Sequence, residues 1–343
     1  MTEDIMLIGR TTFTQFIIEE QRRFTQATGD FTSLLNDIAT ACKAISSVLS
    51  KGTLAGDQNR ETWDRLDSMS NHIFVCTTES QGHLAALASK KMPDAYVVPP
   101  RFPRGKYLLA FDPLDRSANI EVNVSVGSIF SVLRRPDGEG DSTEKDFLQP
   151  GSEQVCAGYA IYGPTTMLVL TTGHGVNGFT LDREVGEFIH THENLIIPAD
   201  TREFAINASN SRFWEPGVKR YVDECLAGVT GPRKADFNMR WVASPVAEVH
   251  RILLRGGLLL FPQDSKDPPR RLGLIYEANP LSFLVEQAGG MSCTGNERVL
   301  EMKPENLHQV TPIILGSKNE VERIVQYHQE AKKASIGLAW RGD

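Results

Sequence analysis

Residues Lys106–Ile120, KYLLAFDPLDRSANI, are the stretch whose reading decides the fold. Tyr107–Phe111 is a continuous apolar run, as a buried strand requires, and Asp112-Pro113-Leu114-Asp115 follows it without a break. Proline fixes φ and donates no ladder hydrogen bond, so the strand is expected to stop at Phe111 and the chain to turn there. Two carboxylates on such a turn can converge on one point. With backbone carbonyls nearby they suit a hard divalent cation such as Mg2+. Ser117-Ala118-Asn119 then opens a helix or turn whose free N–H groups would face a phosphate. A cation on one side and amide donors on the other is the geometry that phosphoryl transfer needs. The plain alternative is a solvated turn, since loops are rich in Asp and Pro.

Other acids are candidates to complete the cluster. The run Ile73–Thr78 reads as a strand, and Glu79 ends it. Glu61 and Asp67 lie in or beside a polar, two-glycine segment, residues 51–65, which reads as a loop. Glu277 follows Leu274-Ile275-Tyr276, just before a helical pattern. Strand ends collect ligands in α/β proteins, which favours Glu79 and Glu277.

Beyond these segments the chain reads as α/β. Phe13, Phe16, Ile17 and Phe24 mark one helix face, and Phe31, Leu34, Leu35, Ile38, Cys42, Ile45, Val48 and Leu49 mark a longer one. Ser128–Arg134, Val155–Tyr162, Thr166–Thr171 and Glu187–His192 read as further strands. Helical patterns follow at Val218–Leu226, Pro245–Leu254, Leu281–Ala288 and Asn319–Lys332, with Gly289 as a stop for the third. The mixture predicts two layered domains with a boundary near residue 200.

The 343 residues carry 36 Lys+Arg against 43 Asp+Glu, a formal net charge of −7, without basic clusters; nucleic acid is therefore not the expected partner. Hydrophobic residues make up 41% and charged residues 23%, which excludes a disordered or collagen-like chain. No apolar run approaches the ~20 residues that span a membrane, and the first residues are acidic and polar, so a cytoplasmic location is expected. The 5 cysteines are scattered and never in CxxC spacing, a pattern of free thiols. Gly173–Gly178 matches GxGxxG, but strand-like sequence follows where a dinucleotide fold needs a helix.

The segments FDPLDRSANIEVNVSVGSIFSVLRR, DFLQPG, AGYAIYGPTTMLVL and LIYEANPLSFLVEQAGGMSCTG together resemble class I fructose-1,6-bisphosphatase in its bacterial or Calvin-cycle form. The similarity runs from about Thr11 to about Gln329 in matching order and spacing. DPLD itself is shared with the wider family of lithium-sensitive, metal-dependent sugar phosphatases. The resemblance implies a layered αβαβα sandwich, usually a homotetramer, that removes the 1-phosphate of fructose 1,6-bisphosphate with Mg2+ or Mn2+. Residues 1–200 would carry the DPLD site and a regulatory site, and residues 201–343 the substrate-binding domain.

Carried over by position, the resemblance makes Glu79, Asp112, Asp115, Glu277 and the Leu114 carbonyl the metal ligands. It makes Glu61 and Asp67, with Glu79, the acids that prepare the water. On the substrate side it points to Asp115, Arg116, Ser117, Asn207, Arg240, Trp241, Phe261 and Arg271, with Arg240 reaching from a neighbouring subunit. Here the chain departs from the family pattern. Arg116 replaces a glycine, Ala118 a serine, and Ser80 the second of two paired glutamates. Asn210, Trp241 and Phe261 replace tyrosines, Arg271 a lysine, and Gly273 a basic residue. Arg116 is a candidate to restore the charge lost at Gly273. For regulation, Thr28-Gly29-Asp30-Phe31-Thr32 matches the helix start where family members bind AMP, with Lys106, Tyr107 and Arg134 as the remaining contacts. Two other readings stay open: a bisphosphatase with shifted preference, such as for sedoheptulose 1,7-bisphosphate, and a catalytically weak regulatory paralogue.

Overall fold

A computed structural model describes residues 10–22, 29–51, 60–136, 141–265 and 271–339, with side chains left out at 60–63 and 335–339. Three helices open the chain: α1 (Phe13–Arg22), α2 (Gly29–Leu49) and α3 (Arg60–Thr78). Strands β1 (Leu84–Ser89), β2 (Tyr96–Val97), β3 (Tyr107–Asp115), β4 (Val126–Arg134), β5 (Gln154–Tyr162), β6 (Thr166–Thr171), β7 (Asn177–Asp182) and β8 (Glu187–His192) follow. They form one sheet in the order β2-β1-β3-β4-β5-β6-β7-β8, with β1 and β3 parallel and the other neighbours antiparallel.

The second half contributes β9 (Glu203–Ile206), α4 (Pro216–Leu226), β10 (Asn238–Met239), α5 (Pro245–Arg255), β11 (Leu258–Phe261), β12 (Leu272–Gly273), α6 (Asn279–Gln287), β13 (Met291–Cys293), β14 (Val310–Thr311), β15 (Ile313–Gly316) and α7 (Lys318–Ala339). Its sheet runs β10-β9-β11-β15-β13, beside a short β12-β14 ladder.

The period-two alternation of strands sorts side chains into layers. In β4, Phe130 and Val132 join Leu34, Ile38 and Ile45 of α2 and Phe74 of α3, while Ile129 faces the other way. There it meets Val246, Val249 and Ile252 of α5, Leu281 and Leu284 of α6, and Leu259 and Phe261 of β11. Leu258 and Leu260 of β11 point outward onto Val218 and Tyr221 of α4 and Val321 and Ile324 of α7. The result is the expected αβαβα sandwich: helices, sheet, helices, sheet, helices.

Three local expectations are corrected. Ile73–Thr78 is not a strand but the last turns of α3. Its β-branched residues suggested a strand, yet Leu66, Ser70, Phe74 and Thr78 are all buried at four-residue spacing, which is one face of a helix. The hydroxyls of Ser70, Thr77 and Thr78 bond back to carbonyls four residues earlier, so they do not compete with the helix. The expected loop at residues 51–65 is also shorter, because α3 begins at Arg60; residues 52–59 lie outside the described part. Finally, β3 does not end at Phe111 but continues through DPLD to Asp115. Its register against β4 slips between Asp112↔Ile129 and Asp115↔Gly127, a bulge that absorbs the proline, whose carbonyl accepts a 2.7 Å hydrogen bond from Ser128.

A candidate divalent-cation and sugar-phosphate site

The bulge has a direct consequence for Asp112 and Asp115. Both stay on the β3 ladder, fully buried, and their carboxylates meet that of Glu277. Glu277 lies in the π-helical turn Leu274–Ala278 that leads into α6. One oxygen from each of Asp112, Asp115 and Glu277 lies within 4.8 Å of the others. Each carboxylate is fixed by its own partner. Asp115 Oδ2 accepts from Ser244 Oγ at 2.9 Å and from the Val246 N–H at 3.3 Å, at the start of α5. Glu277 Oε2 accepts the Gly273 N–H at 2.7 Å.

Burial pushes the Asp115 carboxyl up to about 7, and its neighbours Asp112 and Glu277 push the same way against Lys90 and Arg116. Glu277 is raised for the same first reason, burial, with Lys90 opposing it. Like charges this close need a cation. The donor set fits a hard divalent ion: it is all oxygen, it is buried, and Asp112 Oδ1 and Asp115 Oδ1 have no hydrogen-bond partner. Asp112, Asp115 and Glu277 are the residues that would hold such an ion.

A cation is already there. Lys90 and Lys91 follow the end of β1, which runs parallel to β3 and delivers them beside the bulge. Lys90 Nζ stands 2.7 Å from Asp112 Oδ2 and 3.0 Å from Glu277 Oε1. Lys91 Nζ pairs with Asp67, a buried acid of α3 whose Oδ2 also accepts from Ser117 Oγ at 3.3 Å. Burial raises the Asp67 carboxyl, with Lys91 opposing. Neither lysine was singled out in the sequence. The signal is weak: the apolar run LAALAS leads into them, but a lysine there ordinarily marks a strand reaching solvent.

Glu79 is not brought into this group. It closes the last turn of α3 through its N–H to the Val75 carbonyl, and its carboxylate accepts a 2.5 Å hydrogen bond from Tyr96. Glu61 lies on the first turn of α3, and its side chain is outside the described part.

A cleft of about 210 Å³ opens next to the cluster, lined by Arg116, Asn119, Asn207, Trp241, Phe261 and others. It gathers four of the predicted substrate residues and shares Arg116 with the carboxylates. Arg116 Nε is 4.0 Å from Asp115 Oδ1, and its guanidinium lies 5.8 Å from the Phe261 ring centre, with Trp241 packed on that ring. Arg271 is half-buried and its Nε has no hydrogen-bond partner. Arg240 does not line the cleft; it is exposed, 3.4 Å from Glu203.

The fructose-1,6-bisphosphatase N-terminal domain model matches residues 11–193, and the C-terminal domain model matches residues 197–329. The chain belongs to the fructose-1,6-bisphosphatase family. Its relatives include the class 1 fructose-1,6-bisphosphatase of Hydrogenophilus thermoluteolus, 58% identical over 95% of this chain and 94% of that protein. A second class 1 enzyme, from Methylibium petroleiphilum, is 56% identical over 94% and 93%. Among solved structures, the holo form of Leishmania major fructose-1,6-bisphosphatase superposes with a TM-score of 0.86 at 38% identity, covering 93% of this chain and 99% of its own.

Several residues near the start of α2 and on β3 also lie close together. Asp30, in the first turn of α2, lies 3.7 Å from His83 Nδ1 and 3.8 Å from Lys106 Nζ. The Tyr107 ring lies 5.6 Å from that of Phe31, tilted against it, and Tyr107 pairs in register with Arg134. Gly29 opens α2, and Thr32 donates to Gln21 at 2.5 Å. Thr28 lies outside the described residues.

Proposed function

We propose that this chain is a phosphoric monoester hydrolase that converts fructose 1,6-bisphosphate to fructose 6-phosphate and phosphate. The observation that carries this reading is near-full-length identity of 56–58% to class 1 fructose-1,6-bisphosphatases, on a fold that sets a buried carboxylate cluster beside an anion-ready cleft. Asp112, Asp115 and Glu277 would hold a divalent ion, Mg2+ or Mn2+, which when bound would supply Lewis-acid polarisation of the phosphoryl oxygens and a more acidic water. The protein's own groups do the rest. In this reading Asp67 takes the proton from the attacking water, Ser117 holds that carboxylate, and Arg116 reads the phosphate. Asn207 has its carbonyl oxygen engaged by Ser209, which leaves its NH2 to donate to the distal phosphate, with Arg271 as the cation there. Arg240, exposed and outside its own cleft, is assigned to a neighbouring subunit's cleft in a homotetramer. The group around Asp30, Lys106, Tyr107 and Arg134 is assigned to AMP.

One observation favours a second reading. Lys90, Lys91 and Arg116 bring cationic side chains to the acids that metal chemistry needs, and a fixed ammonium cannot acidify water as a metal does. A catalytically weak, ligand-binding paralogue follows from that.

The test is phosphate release from the purified chain with Mg2+ or Mn2+, on fructose 1,6-bisphosphate and on sedoheptulose 1,7-bisphosphate, with and without AMP. Metal-dependent turnover of the fructose substrate that falls about a thousandfold in Asp112→Asn is expected. AMP should lower it. Turnover no greater than that of Asp112→Asn would leave the weak-paralogue reading, and preference for the sedoheptulose substrate would reassign the specificity.

A further inference from the structure

We infer that Lys90 is the resident cation of the carboxylate cluster, and that a divalent ion enters only by displacing its ammonium. The inference deepens the phosphatase reading and rests on it only for the kind of ion that competes.

The geometry is one of mutual exclusion. Lys90 Nζ lies 2.7 Å from Asp112 Oδ2 and 3.0 Å from Glu277 Oε1. Mg2+ binds carboxylate oxygen at about 2.0–2.1 Å. An ion bound to those two oxygens would sit within the ammonium's own volume, and like charges at that separation repel. One of them has to leave. The ammonium is strongly held, because Asp112 and Glu277 are both buried and each gives it an oxygen. Asp115 adds a further attraction.

The charge balance agrees. Three carboxylates within 4.8 Å of one another would not stay ionised in a buried site without positive charge. The chain supplies that charge itself, from Lys90 at the cluster and from Arg116, 4.0 Å from Asp115, at its edge. The folded state therefore does not depend on metal. Lys90 also stands on a fixed element: it follows the last residue of β1, and its backbone N–H donates to the Phe111 carbonyl at 3.1 Å on the neighbouring strand. The Lys90 side chain as a whole is about one-third exposed, so it has a route out toward solvent when an ion displaces it.

What remains for metal in the presence of Lys90 is small. Asp112 Oδ1 and Asp115 Oδ1 have no partner. Two oxygens from two residues do not make a divalent-cation site, so the ion has to displace the Lys90 ammonium, and that competition makes divalent ions bind this chain loosely.

The experiment is Mn2+ binding followed by the loss of the free-ion EPR signal, alongside thermal unfolding in EDTA and in millimolar Mn2+. Three proteins are compared: wild type, Lys90→Met, and Asp112→Asn as the control for ions bound elsewhere. Wild type is expected to bind Mn2+ weakly and to unfold at the same temperature in EDTA and in Mn2+. Lys90→Met keeps the stem and removes the charge. It is expected to bind Mn2+ at least about tenfold more tightly, the scale of a removed close charge pair, and to be stabilised by Mn2+ where wild type is not. Equal affinities in wild type and Lys90→Met would overturn the inference while leaving the phosphatase reading untouched. If Lys90→Met does not fold, wild type decides alone: Mn2+ held tightly and lost in Asp112→Asn overturns the inference, and weak binding with no thermal shift supports it.

Discussion

Arg116 adopts a φ of +55°, in the left-handed region where a side chain is strained and glycine is not. Its N–H groups and charge are turned into the space between the carboxylates and the cleft, which explains why an unfavourable backbone is tolerated. Arg116→Gly separates the two effects. The variant should gain about 1 kcal/mol of stability in urea denaturation by losing the left-handed penalty. Its KM for fructose 1,6-bisphosphate should rise about tenfold through loss of a charged phosphate contact, with a smaller change in kcat. An unchanged KM would show that Arg116 does not replace the basic residue missing at Gly273. Among single residues, Asp112, Asp115 and Glu277 were picked out in the sequence as acids that follow apolar runs, and the fold brings their carboxylates together. Lys90 was not, since a lysine after an apolar run has the ordinary meaning of a strand reaching solvent, and only tertiary pairing turns it inward.

At the scale of elements, the strands with clear alternation and tight turns were legible: β4, β5, β6 and β8 lie within two residues of where the pattern puts them. So were α2, α4, α5 and α6, whose apolar faces repeat at helical spacing. The last turns of α3 were misread because Ile73, Val75 and Thr77 carry strand propensity that packing overrides. The short strands β9, β11 and β15 escaped notice, since four residues that are nearly all buried leave no period to count. One element does double duty. Ser244 caps α5 by accepting the Ala247 N–H at 3.3 Å, and the same hydroxyl donates to Asp115 at 2.9 Å. Ser244→Ala should therefore cost about 1–2 kcal/mol, more than an exposed cap, because a buried carboxylate also loses a donor. Chemical denaturation measures the loss. A change within a few tenths of a kcal/mol would mean that the Val246 N–H alone fixes Asp115.

Across the whole molecule, stability depends on how the inner helices join the two sheets. One such joint is polar: His250 of α5 meets the Tyr159 hydroxyl of β5 through Nδ1 at 2.9 Å, between the first sheet and the central helix layer. Burial pushes the His250 imidazole down from 6.5 to about 4, and His192 pushes the same way. The unfolded chain then binds a proton that the folded chain refuses, so stability rises with pH across this window. Above about pH 6.5 both states are neutral at this residue and it contributes no slope. As pH falls from about 6.5 toward 4 the folded state loses ground, by about 2 kcal/mol near pH 5. His250→Asn removes the titration and keeps a polar side chain for Tyr159. Urea unfolding at about pH 7 and about pH 5 should show wild type losing roughly 2 kcal/mol more than the variant between the two. Parallel losses would mean that the imidazole protonates within the folded layers, and that acid lability originates in other groups. The direction is opposite to that of half-buried acids such as Asp37, raised by desolvation to about 6, whose cost to folding is relieved as pH falls. A wild-type profile that declines below pH 6.5 therefore requires the histidine joint to outweigh those acids, and the variant isolates its share.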